Sequence, residues 1–141
     1  MESLTVPASM EHLYKVMSLT EQLLEQARCG KDDKRLVEIS VEEIYTNIAS
    51  YAYGGGEGQI WLQWDIRAAG EAQREIAISF QDQGRPYNPF AREDPDLTLP
   101  IEERPVGGLG IYMVKQFMDQ VDYRYEQGCN KTTILKRFQV M

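Results

Sequence analysis

A carboxylate and a carboxamide stand four residues apart at Glu43 and Asn47, a spacing that puts both on one face of a helix. Such a carboxylate can serve as a general base, and the amide oxygen can ligate a hard cation such as Mg²⁺. Further along, Asp82-Gln-Gly-Arg-Pro-Tyr-Asn-Pro89 directly follows a run that reads as a strand. An Asp there can accept a hydrogen bond from an exocyclic amine, and Gly84 would let a flat ring come close. Third, Pro105-Val-Gly-Gly-Leu-Gly-Ile-Tyr-Met-Val-Lys115 sets Gly107, Gly108 and Gly110 before an apolar, helix-capable run. Glycine backbones approach a ligand closely, and a helix start offers unpaired N–H donors suited to phosphate. Each segment alone has a plainer reading: a solvated helix face, a turn built from turn formers, and an ordinary loop-to-helix junction.

The elements around these residues follow from periodicity. Leu4-Thr-Val6 suits a short edge strand ended by Pro7. Leu13, Val16, Met17, Leu23, Leu24 and Ala27 recur at helical spacing, predicting a helix over 9–28 with Cys29-Gly30 as its glycine cap. A second helix is predicted from Asp32-Asp33 to about Tyr53, with Val37, Val41, Ile44, Ile48 and Ala52 as its apolar arc and Ser40 on the flank beside Glu43 and Asn47. Gly54-Gly-Gly56 then reads as the turn out of that helix. Residues 59–66 and 75–80 alternate as a β-hairpin turning at Ala69-Gly70. A proline-punctuated stretch over 82–104 is too long for an idle connection. A short helix from Gly110 to about Met118 and a hairpin of 121–125 with 132–138 around Gly128 complete the chain. The expected fold class is α+β: a two-layer sandwich with a mixed, mostly antiparallel sheet covered on one face by helices.

With 141 residues, 43% of them hydrophobic and 26% charged, the chain reads as one domain over 1–141 with a real core. Its net charge of −7 argues against nucleic acid as the main partner. No apolar run is long enough for a membrane span, and Met1-Glu-Ser-Leu-Thr-Val-Pro7 lacks the regions of a signal peptide. Cys29 and Cys129 are far apart without metal-ligand spacing, as expected for a reduced cytoplasmic protein. His12, the one histidine, lies on an amphipathic helix and reads as a surface or packing residue.

In order and separation, the three chemical segments resemble the N, G1 and G2 boxes of the GHKL (Bergerat-fold) ATPase superfamily. They are most similar to its branch of bacterial anti-sigma-factor serine kinases that work by partner switching. Glu43 to Tyr53 looks like the N box, Asp82 to Pro89 the G1 box and Glu103 to Lys115 the G2 box, while Asn130-Lys-Thr-Thr-Ile-Leu-Lys-Arg137 matches the closing strand.

The resemblance implies ATP and Mg²⁺ as ligands, with Glu43 as general base and Asn47 as the metal ligand. Asp82 would take the adenine amine, with Gly84 giving the base room and Thr133 near it. Gly107, Gly108, Leu109 and Gly110 would wrap the phosphates, and 90–106 would form the ATP lid. An Arg close before the G2 glycines is found in some members; here Pro105-Val106 separates Arg104 from them. The implied function is an anti-sigma regulatory factor with serine kinase activity on an anti-sigma-factor antagonist. Its partners would be that antagonist and a sigma factor or other regulatory protein, with neither nucleic acid nor membrane among them; a homodimer belongs to the same expectation. The alternative is a nucleotide-binding module that sequesters protein partners without phosphoryl transfer.

Overall fold

The computed structural model describes residues 1–91, 93–100 and 109–141. Five strands form one sheet in the order β1-β2-β3-β5-β4: β1 (Glu2–Pro7), β2 (Gln59–Gly70), β3 (Gln73–Asp82), β4 (Gln120–Glu126) and β5 (Cys129–Gln139). Every neighbouring pair is antiparallel, so the sheet carries no parallel pair and is not mixed as expected. For two of these four pairs the reason lies in the connections. Tight turns join β2 to β3 and β4 to β5, and a two-residue link permits only antiparallel neighbours. In the β4–β5 turn both Gln127 (φ 55°) and Gly128 (φ 76°) are left-handed, matching the right-handed twist of the flanking strands.

Three helices are described, α1 (Leu13–Gln26), α2 (Lys31–Tyr51) and α3 (Leu109–Phe117). The alternation of β3 buries Ile76, Ile78, Phe80 and Asp82 on one face, where Val16 and Leu24 of α1 and Val37, Val41, Ile44 and Ile48 of α2 join them in a single core. The opposite sheet face, with Trp61, Ala77, Ser79, Thr133 and Leu135, has no fully buried residue. Deep in the core Trp64 donates its indole N–H to Thr20 Oγ1 at 3.0 Å, and Thr20 donates in turn to the Val16 carbonyl at 2.8 Å. This chain satisfies two polar groups that burial alone would penalise.

Helix α1 starts later than its periodicity suggests, because Met10–His12 form a 3₁₀ turn capped by Ser9. Its end is also different. Arg28 N–H donates to Glu25 O and Cys29 N–H to Leu24 O, each at 3.0 Å, with Arg28 left-handed at φ 60°. This is a Schellman end with Arg28 where glycine is usual. Gly30 instead serves as the extended N-cap of α2, and Asp32 and Asp33 fill that helix's first turn, complementing its dipole. Among the described residues no helix is long and apolar enough to cross a membrane, and both cysteines are free.

Candidate functional site

Helix α2 is the axis of the site. Glu43 and Asn47 sit one turn apart on it, both half-buried, while its inward arc holds it to the sheet. Asn47 has no side-chain hydrogen-bond partner among the described residues. Burial pushes the Glu43 carboxyl above the usual carboxylate range, and neighbouring Glu42 adds to the shift. A carboxylate held there is a better proton acceptor than a free surface one.

Gly110, at the start of α3, faces this carboxylate. A Cβ on Gly110 would overlap the Glu43 carboxyl group, so Glu43 can keep this position beneath the start of α3 only with glycine at 110. The residue is helical and its φ is not positive; close approach is what demands glycine there. Leu109, also at the start of α3, is half exposed. Gly107, Gly108 and Arg104 lie outside the described residues, as does most of the second half of the expected 90–106 lid. Within the described part of that stretch Phe90 packs on the core. Asp94 pairs with Lys115 of α3 at 2.5 Å, and Asp96 Oδ1 accepts from the Thr98 N–H at 2.9 Å.

Near the C-terminal end of α2 lies Asp82, the last residue of β3, only 3% exposed. Its Oδ1 accepts two hydrogen bonds, from Gly84 N–H and Asn130 Nδ2, both at 2.9 Å. Its Oδ2 has no partner among the described residues and is not sealed from solvent. Buried carboxylate oxygens are rarely left unpaired in a protein, so an open oxygen in this position can accept from a ligand donor. Gly84 has a packing role the sequence did not indicate. A Cβ on it would collide with the Ala52 carbonyl at the end of α2, and the next residue, Arg85, donates its N–H to that same carbonyl at 3.0 Å. Tyr53 pins the other side of the loop, accepting from Gln83 N–H at 2.8 Å and donating to Gln59 O at 2.5 Å.

The closing strand shifts one expectation by a residue. Asp82 pairs with Asn130 and Phe80 with Thr132, whereas Thr133 is in register with Ser79 and Asp122. Residues of alternate parity point to opposite faces, so Thr133 lies on the far side of the sheet from Asp82. Thr132, 4% exposed, shares the Asp82 face. Asn130, which sequence reasoning passed over, is also on that face and also 4% exposed. The available signal was its type, since Asn is depleted within strands.

From Glu43 to Ala52 the axis of α2 advances roughly 13 Å, with the unpaired carboxylate oxygen of Asp82 near one end and the α3 start over Glu43 near the other. Among the described residues no cluster of three or more His, Cys, Asp or Glu could hold a metal ion unaided. Mg²⁺ commonly takes one or two protein oxygens and completes its shell with phosphates and water, and the unpartnered Asn47 amide suits that division. A helix-backed antiparallel sheet with these groups along one helix has the layout of an ATPase-type domain.

The histidine kinase-like ATPase domain model matches residues 6–136, and the chain belongs to that GHKL family. It is 24% identical over 141 residues to a Bacillus cereus protein named serine-protein kinase RsbW, covering 96% of this chain and 85% of that one. A Halalkalibacterium halodurans protein of the same name is 28% identical over 129 residues, with 89% and 76% covered. A solved structure of the RsbU and RsbW domains of a Mycobacterium tuberculosis protein superimposes with a TM-score of 0.61 at 13% identity. That match covers 98% of this chain and 33% of the solved chain; the chain thus spans a third of that longer chain, and the likeness is one of fold.

Proposed function

We propose that this chain is a single-domain, cytoplasmic anti-sigma regulatory factor that binds ATP with Mg²⁺ and phosphorylates a serine on an anti-sigma-factor antagonist. The observation that carries the reading is the open Oδ2 of Asp82, buried near the C-terminal end of the helix that presents Asn47 and, nearer its middle, Glu43. Asp82 would accept the adenine amine, and Asn47 would hold Mg²⁺, which supplies neutralisation of the phosphate charge. Glu43, raised in pKa by burial, would take the proton of the attacking serine hydroxyl. Leu109 and Gly110, with Gly107 and Gly108 before them, would lie along the phosphates. Thr132, rather than Thr133, would stand beside the base. Phosphoryl transfer depends mainly on positioning and charge neutralisation, which these groups supply. The relatives named serine-protein kinase support the transfer step, and partner switching would couple it to release of a sigma factor.

The test has two arms. Calorimetry should show Mg²⁺-dependent binding of ATP in preference to GTP, whose base presents a carbonyl where adenine has its amine. Incubation with γ-labelled ATP and the antagonist should place label on a serine. Binding without any labelled acceptor would instead make the chain a module that sequesters partners without transfer.

A further inference from the structure

Asn130 makes more polar contacts than any role in strand pairing requires. Its Nδ2 donates to Asp82 Oδ1 and to the Arg85 carbonyl, both at 2.9 Å, and more weakly to the Gly84 carbonyl at 3.3 Å. Its Oδ1 accepts from the Tyr87 N–H at 3.1 Å and from the Tyr123 hydroxyl. The amide orientation follows from its partners: the carbonyls can only accept and the Tyr87 N–H can only donate. One side chain therefore joins the end of β3, three residues of the loop after it (Gly84, Arg85 and Tyr87), and β4.

We propose that Asn130 is the positioning residue of the base site: together with the Gly84 N–H it occupies and holds Oδ1 of Asp82, leaving Oδ2 aimed as the acceptor offered to an adenine amine. The inference rests on the reading of Asp82 as the base acceptor. With Gly84 N–H and Asn130 Nδ2 both bound to Oδ1, the carboxylate cannot rotate without breaking two hydrogen bonds in a nearly dry setting. Without Asn130, Asp82 Oδ1 keeps only the Gly84 N–H, so the carboxylate is held in a looser torsion, and the loop carbonyls of Gly84 and Arg85 lose the Asn130 donor. A side chain that merely held the fold would weaken all nucleotides alike; one that aims Asp82 sets the preference between adenine and guanine.

Two substitutions separate these roles in the full chain. Asn130→Ala should weaken ATP binding by about tenfold to a hundredfold, the effect of losing a hydrogen bond to a charged group, while GTP binding stays close to unchanged and the preference collapses. Asn130→Asp keeps the shape but puts a carboxyl against Asp82, where two carboxylates cannot both remain charged without penalty. The groups around that pair are Tyr123 and Tyr125 on β4 and Arg85 in the loop, whose guanidinium reaches the Tyr51 carbonyl at 3.5 Å; the introduced carboxyl and Asp82 are the carboxyls among them. At low pH a shared proton restores a donor toward Asp82 Oδ1. The ratio of variant to wild-type ATP affinity should therefore rise as pH falls from about 8 to about 5, and thermal unfolding at each pH checks that the variant is folded. A flat ratio, or equal losses of ATP and GTP in Asn130→Ala, overturns the positioning role while the nucleotide site stands. A wild-type chain that binds ATP no better than GTP overturns the base-site reading, and this inference with it.

Discussion

Replacing Gly110 by alanine sets a helix-propensity gain against a displaced carboxylate, and the two have different readouts. Gly110 is the second residue of α3, where exchanging glycine for alanine stabilises a helix by up to about 1 kcal/mol. The new Cβ would lie 2.7 Å from Glu43 Cδ, whereas ordinary contacts begin near 3.4 Å. The obstacle is the end of a flexible side chain, with Oε2 closer still than Cδ, so the carboxylate can clear the Cβ only by swinging away by more than about 1 Å. Leaving its rotamer costs about 0.5–1.5 kcal/mol. The terms nearly cancel, and the unfolding temperature should move by no more than about 4 °C. Chemistry is less forgiving, since a misplacement of about 1 Å can cost about 10²-fold in rate. Gly110→Ala should thus fold normally, bind ATP, and transfer phosphate about a hundredfold more slowly in a single-turnover assay with γ-labelled ATP and the acceptor serine. A double-mutant cycle isolates the cause. In a Glu43→Ala background, Gly110→Ala should cost no further rate and should stabilise the chain, because nothing remains for the Cβ to strike. Full transfer by Gly110→Ala, or the same hundredfold loss without Glu43, would refute the contact as the reason for glycine.

Asp82→Asn should weaken ATP binding about tenfold to a hundredfold, measured by calorimetry, because a donor replaces the open acceptor; unchanged affinity would remove Asp82 from the base site. Burial raises the folded-state pKa of Glu43, so its ionised form opposes folding in full above that pKa, and the penalty shrinks as pH falls from there and is gone below the unfolded value of about 4.3. Glu43→Gln should accordingly stabilise the chain at neutral pH and lose its advantage in acid, as read from denaturant midpoints at each pH; an advantage that grows in acid would contradict the sign. Thr20→Val strips the Trp64 indole of its acceptor and should destabilise by about 1–3 kcal/mol, seen in chemical unfolding. Arg28→Gly should stabilise by about 0.5–1 kcal/mol, since the left-handed residue ending α1 would no longer carry a side chain at positive φ.

How far the sequence could be read depended on whether a property was local or shared between distant residues. The apolar arc of α2 was legible because Val37, Val41, Ile44 and Ile48 repeat at the helical period, and the same period put Glu43 and Asn47 on one face. The hairpins were legible from alternation. The end of α1 was not, because Arg28 holds a conformation that glycine usually takes, and Gly30, two residues later, drew the assignment to itself. The glycines illustrate the difference most directly. Gly84 and Gly110 suggested room for a ligand, and each proves to be small because helix α2 touches it, through the Ala52 carbonyl at one end and the Glu43 carboxyl nearer the middle. Such contacts join residues far apart in the chain, and no local pattern encodes them. Register has the same character. Thr132 and Thr133 are adjacent and chemically identical, and only the pairing of Asp82 with Asn130 decides which of them shares the carboxylate's face. That pairing also turns an unremarked asparagine into a residue that, with the Gly84 N–H, holds one oxygen of Asp82 and leaves the other free. The groups that would act on a ligand announced themselves by type and spacing, whereas the groups that aim them became visible only once the strands were in register.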